Sequence, residues 1–280
     1  MKKESGVRSQ KSECTQWVLA AFLTLVGFAH AQTAAEVRGK KIIDDTIAAL
    51  GGDKFLNMED RIESGRAYSF YREQLTGLSI ARIYTRYLSV AAGKTGQELG
   101  VRERQAFGKN EDSSVIFRED GAWEVTFRGA RPLEKERVER YHDSTLHNFF
   151  YILRQRLHEP GMIFESRGVE VVENLPVDVV DITDVENRTV TVYLHQSTKL
   201  PVRQSWVWRD PQTKDRNEEI TRFSRYRDSG GGVQWPHQIL RERNGEKIYE
   251  MFSDSVAIDK NLTDNVFSLE APGKAPAKKK

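Results

Sequence analysis

Residues Val177–Trp208 read VDVVDITDVENRTVTVYLHQSTKLPVRQSWVW. Apolar and polar residues largely alternate over Val177–Val185, Val190–Leu194 and Val202–Trp208, the period of strands that bury one face. Only Glu186-Asn187 and the short run after Leu194 separate these segments. Links this short join antiparallel neighbours, because a parallel pair needs a crossover of a dozen residues or more. The same grammar continues outward. Ile163–Val172 precedes the stretch and ends at Asn174-Leu175-Pro176. Ile220–Tyr226, Val233–Leu240 and Ile248–Val256 follow it, separated by Asp210-Pro211, Ser229-Gly230-Gly231-Gly232 and Asn244-Gly245, all turn formers.

The N-terminal half shows the same period at Ile62–Tyr71, Leu78–Leu88, Val101–Phe107, Ser113–Arg118 and Trp123–Arg128, the last two flanking a hairpin signal at Asp120-Gly121. Two segments switch to helical spacing. In Glu36–Leu50 the residues Val37, Ile43, Ile47 and Leu50 recur on one side, and Gly51-Gly52 supply a stop. In Leu133–Leu157 the residues Val138, Tyr141, Phe149, Leu153 and Leu157 form a stripe, with Pro160-Gly161 just beyond. The pattern predicts an α+β, β-dominated antiparallel domain of about eleven strands. No linker or repeat divides it.

Before this domain stand Lys2, Lys3, Arg8 and Lys11, a twelve-residue apolar run Trp17–Phe28, and Ala29-His30-Ala31. That three-part layout predicts a signal peptide over residues 1–31, cleaved after Ala31, and a periplasmic or secreted protein. The apolar run is too short to span a bilayer, which takes roughly 20 residues. The single cysteine, Cys14, leaves with the signal, so disulfides, thiol nucleophiles and thiolate metal sites are not expected of the mature chain. The signal carries four of the 43 basic and two of the 41 acidic residues, leaving a formally neutral remainder. Neutrality disfavours nucleic acid as a partner. Residues 32–272 then form the single domain. Residues 273–280, with Lys278-Lys279-Lys280 behind Pro276, read as a disordered basic tail.

Catalytic and metal signatures are weak. Glu139 and His142 are three apart, but no second such pair accompanies them. His142 and His147 are five apart and diverge on a helix; His147 and His158 are separated by about 16 Å along its axis. No metal or cofactor is expected. Gly93-Lys94-Thr95 lacks the glycine five positions earlier that a phosphate loop requires; Leu88 stands there. Ser79 in Gly77-Leu78-Ser79-Ile80-Ala81 opens a strand and not a nucleophile elbow. His195 and His237 fall on strands with no nucleophile placed beside them by sequence. What stands out is the aromatic load at period-two positions: Tyr68 with Phe70, Trp206 with Trp208, Val233 with Trp235. Such faces make a core or line a cavity.

Several phrases together resemble the LolA/LolB-like superfamily of envelope lipoprotein and lipid carriers. They are Ala49-Leu50-Gly51-Gly52, Asn174-Leu175-Pro176, Val190–Leu194, Thr198-Lys199-Leu200-Pro201-Val202-Arg203, Trp235-Pro236, and the closing Asn261-Leu262 to Asp264-Asn265-Val266-Phe267-Ser268-Leu269. The likeness covers roughly residues 36–272. It implies an incomplete antiparallel β-barrel whose concave apolar side is covered by helices. It also implies a non-catalytic role with lipid or lipoprotein cargo and envelope membrane-protein partners, in a protein that is not itself an integral membrane protein. On that reading Tyr68, Phe70, Tyr84, Phe149, Trp206 and Trp208 line the cavity. The rivals are an interaction or stress-sensing module with a packed interior, and a hydrolase using His195 or His237.

Overall fold

The structure, a computed structural model, describes residues 32–91, 94–210 and 212–270. The expected signal segment, the basic tail and Gly93 of the phosphate-loop-like phrase lie outside those residues.

Thirteen strands form one antiparallel sheet: β1 (Asp60–Tyr71), β2 (Gln74–Tyr87), β3 (Val101–Phe107), β4 (Ser113–Arg118), β5 (Gly121–Thr126), β6 (Gly129–Pro132), β7 (Ile163–Val172), β8 (Leu175–Thr183), β9 (Thr189–His195), β10 (Pro201–Arg209), β11 (Arg216–Asp228), β12 (Gln234–Arg243) and β13 (Glu246–Ile258). The spatial order is β6-β5-β4-β3-β2-β1-β13-β12-β11-β10-β9-β8-β7. Each half is a meander, as the short turns require. The halves meet where the first strand pairs with the last, Ile62 opposite Ala257 and Ala67 opposite Met251. β6 and β7 are the two edges and do not pair, so the sheet stays open, consistent with an incomplete barrel. The strand beyond those read from sequence is β6, whose four residues Gly-Ala-Arg-Pro carry no period.

Helix α1 (Ala34–Leu50) buries Ile43, Ile47 and Leu50. It ends where Gly51 and Gly52 take φ of 121° and 57°, and the Gly52 N–H donates to the Ile47 carbonyl at 2.8 Å. This left-handed stop is one that glycine adopts without steric cost. A second glycine sets how α1 lies on the sheet. A Cβ at Gly39 would stand 2.4 Å from the Phe164 carbonyl oxygen of β7, so only a bare backbone lets helix and strand approach this closely. The short helix α2 (Asp53–Asn57) adds Phe55 to the interior.

The expected single helix over 133–157 is instead two pieces. Helix α3 (Lys135–Leu146) is followed by a break, then by a turn α4 (Phe149–Tyr151) that widens into a π-helical turn over Ile152–Arg156. The principal core lies between β7–β13 and the helices. It contains Ile43, Leu50, Phe55, Phe149, Phe150, Leu153, Val190, Val192, Leu194, Trp206, Phe223 and Trp235. The face of the sheet toward these residues is the inner face; the alternate residues of each strand make the outer one.

Candidate functional site

The break between α3 and α4 is held by a strand side chain. Gln204 on β10 accepts the Phe149 N–H at 2.9 Å and donates to the His147 carbonyl at 3.1 Å. Asn148 caps the new turn by accepting the Tyr151 N–H at 3.0 Å. The His147 ring stacks on Trp206 with centroids 4.0 Å apart. An interrupted helix exposes orphan backbone groups; here a buried amide satisfies one on each side of the interruption. Period alone cannot show this, since the partner comes from 55 residues away.

The segment after the break is firmly anchored. The Gly100 N–H donates to the Tyr151 hydroxyl at 2.8 Å, and Gln155 donates to the carbonyls of Leu88 and Gly100. Buried Arg156 reaches Glu159 at 2.7 Å, Asp184 at 2.7 Å and the Leu146 carbonyl at 3.1 Å. Helix α3 is held more lightly. Leu146 is its one buried residue. Besides the Arg156 bond to the Leu146 carbonyl, its attachments include Tyr141, stacked on Phe117 at 3.5 Å, and the His142 ring, 2.9 Å from the Gln97 carbonyl.

Beneath α3 lies a chamber of about 190 Å³. Its walls are mixed: Arg61, Thr85, Glu103, Gln105, Asn148, Gln204 and Arg241 supply polar groups, and Val101, Phe150, Trp206, Phe223, Trp235 and Ile239 supply apolar ones. Arg61 lies over the Trp235 ring at 4.1 Å and donates to Thr85 at 3.1 Å and Tyr87 at 3.3 Å. Glu103 accepts from Gln105 at 2.6 Å, and Arg241 approaches Glu219 at 3.4 Å. Burial pushes the Glu103 carboxyl up and the Tyr141 phenol well above its ordinary value. Burial also holds the His147 imidazole down, favouring its neutral form.

On the far side of Tyr141 is a groove of about 810 Å³. Leu88, Val90, Ala91, Leu99, Val101, Phe117, Ala122 and Val138 give it an apolar lining, with Arg118, Glu119 and His142 at its margin. Tyr141 and Val101 line both spaces. The wall between them therefore includes a side chain of the lightly held helix.

The structure divides the six expected lining residues. Trp206 lines the chamber, while Phe149 and Trp208 pack in or against the principal core. Tyr68, Phe70 and Tyr84 lie on the outer face. Tyr68 meets Phe252 edge-on at 5.8 Å, Lys247 sits over Phe70 at 4.4 Å, and Tyr84 packs with Ile116 and Phe267. This placement has a physical cause. The alternate residues of β1 and β2 that face inward include Arg61, Glu63 and Thr85, whose charges and hydroxyls are matched by one another. The aromatic residues consequently take the outside. The enclosed chamber thus has a mixed polar and aromatic lining, and the groove next to it on the same inner face is the more apolar of the two.

Neither strand histidine sits in a catalytic arrangement. His195 accepts the backbone N–H groups of Ser197 and Thr198 at 3.2 Å. Buried His237 has its Nδ1 2.9 Å from the Ser253 carbonyl. Among the described residues no group of three or more His, Cys, Asp or Glu is placed to hold a metal, and no helix is long and apolar enough to cross a membrane.

Neither a protein-family model nor a curated protein sequence matches the chain. Solved structures do. A DUF1329 family protein from Desulfovibrio piger gives a TM-score of 0.56 at 14% identity, over 85% of this chain and 100% of that one. A domain from Vibrio parahaemolyticus named for outer membrane lipoprotein sorting gives 0.53 at 12% identity, over 83% and 97%. The fold is that of a lipoprotein-sorting domain. The resemblance read from sequence phrases holds at this level. A LolA superfamily protein from Nitrosomonas europaea also matches, with a TM-score of 0.47 at 10% identity over 82% and 97%. In this chain α1, α4 and α3 lie against the inner face of the sheet.

Proposed function

We propose that this protein is a non-catalytic carrier of the cell envelope, exported by a signal peptide cleaved after Ala31. Its cargo is a lipid or lipoprotein whose acyl chain enters the groove beside α3. The observation that carries this reading is the groove itself: about 810 Å³ with a largely apolar lining, within the several hundred Å³ that ligand sites occupy. An acyl chain gains roughly 0.8 kcal/mol per CH₂ on leaving water, so such a lining suffices to hold one. Helix α3 acts as the cover. Moving Tyr141 aside would join groove and chamber and bring Trp206 within reach of the cargo.

A second reading has its own support. The principal core is filled by Phe149, Phe150, Leu153 and the residues around them, as expected of an interaction or sensing module. Native mass spectrometry of the protein, gently purified from an exporting host and followed by denaturing lipid extraction, separates the two. A stoichiometric mass released as lipid or acylated peptide is the expected result. Protein that stays bare after incubation with lipids and lipopeptides would overturn the carrier reading and leave the module.

A further inference from the structure

The hairpin of β1 and β2 overhangs its neighbour. β2 pairs with β1 from Gln74 onward, but β3 joins it only at Ala81, opposite Phe107. The Gly108 N–H adds one bond to the Ile80 carbonyl at 2.9 Å. From Gln74 to Ser79, about 20 Å at strand rise, that edge of β2 has no strand beside it. In an antiparallel strand alternate residues direct their backbone groups to the same side. Since the Ile80 carbonyl points toward β3, the N–H and C=O of Leu78 point into the vacant position. The outer face beside this edge is apolar. Leu75, Leu78 and Ile80 are 55%, 59% and 52% exposed, and Leu75 and Leu78 stand opposite Phe70 and Tyr68.

We propose that this edge is a docking site for an extended polypeptide segment of another protein, which adds as a strand beside Gln74–Ile80. Unpaired strand backbone flanked by apolar side chains is a template for pairing. The partner chemistry follows from what the edge leaves unmatched. Leu78 needs a backbone donor and acceptor, which a lipid surface does not provide and would leave unsatisfied in hydrocarbon. The outward Leu75, Leu78 and Ile80 call for apolar residues at alternate positions. Arg72, in the turn that leads into Gln74, lies over Tyr71 and is in no ion pair among the described residues; it calls for a carboxylate at that end of the segment. A second copy would bring the same cation against itself. The closing residues 271–280 carry two prolines and four lysines, the wrong chemistry for a strand at a basic rim. The site is separate from the groove and does not depend on its cargo.

The test uses the full chain and a capped nine-residue peptide of alternating valine and threonine with glutamate at both ends. Hydrogen exchange at the Leu78 amide is expected to slow at least tenfold on saturation. A peptide N-methylated on its strand-facing amides should not slow it. Leu78→Pro removes the outward N–H together with the exposed leucine side chain, changes that an edge strand tolerates, and should weaken binding at least tenfold with the melting temperature retained, whereas Leu78→Ala, which keeps the N–H, should weaken it less. Unchanged exchange at Leu78 would overturn the proposal. Protection that appears without peptide and rises with protein concentration would assign the edge to a second copy instead. Binding to phosphatidylglycerol vesicles that Leu78→Pro leaves intact, with no peptide effect, would assign the patch to lipid.

Discussion

Glu103 faces the chamber among aromatic rings, and burial raises its carboxyl above the unfolded value. The ionised form is therefore the one that folding disfavours. The associated stability is fully present below the unfolded carboxyl value, about 4.3, and is lost as the pH rises through the folded one. Glu103→Gln, which keeps an acceptor for Gln105, should stabilise the protein at pH 7 and lose that advantage near pH 4. Urea unfolding at the two pH values checks this, and a variant less stable at pH 7 would contradict it. Residues such as Glu103, Arg61 and Arg241 were not legible as inward from sequence. In a strand, a charged residue reads as solvent-facing by default. What reverses it here is pairing with partners from other strands, Arg61 over Trp235 among them. Trp206 was legible, because an aromatic at period-two spacing on a buried strand follows the ordinary rule.

At the scale of elements, the connection from α3 to α4 depends on Gln204. Gln204→Leu removes both hydrogen bonds to the break and leaves a buried N–H and C=O without partners, at about 1–3 kcal/mol for each such group. We expect a loss of roughly 2 kcal/mol or more, with hydrogen exchange quickening at Phe149 and in α3 before it quickens in β8 and β9. Equal acceleration everywhere would show that the break is not locally controlled. Sequence period found both helical segments but not the interruption, since the residue that stabilises it lies on a distant strand. Turns were legible where glycine or asparagine marks them: Asn244 and Gly245 take φ of 51° and 82°. They were not legible at Arg72-Glu73, where φ is 49° and 61° without either residue. That turn hides the first residues of β2, and with them the overhanging edge.

For the whole molecule, the antiparallel meander follows from short links, but the seam between β1 and β13 does not, because nothing local specifies it. Met251 is buried there against Ala67 and Ala81. Met251→Ala should cost about 2–5 kcal/mol and displace a single unfolding transition. Far-ultraviolet dichroism and tryptophan fluorescence should move together, with Trp123 in one half and Trp206 and Trp235 in the other. Two separated transitions would mean that the halves fold independently. The seam also sets a sequence of events in time. Ser253 bonds to Glu63 across 190 residues of chain, and translation at about 5–20 residues per second puts roughly ten to forty seconds between their appearances. Throughout that interval the first meander carries an open edge along β1 that only the final strand can close. Wherever the chain folds from its N-terminus onward, in synthesis or on export, a chaperone that shields strand edges would act before β13 arrives and not after.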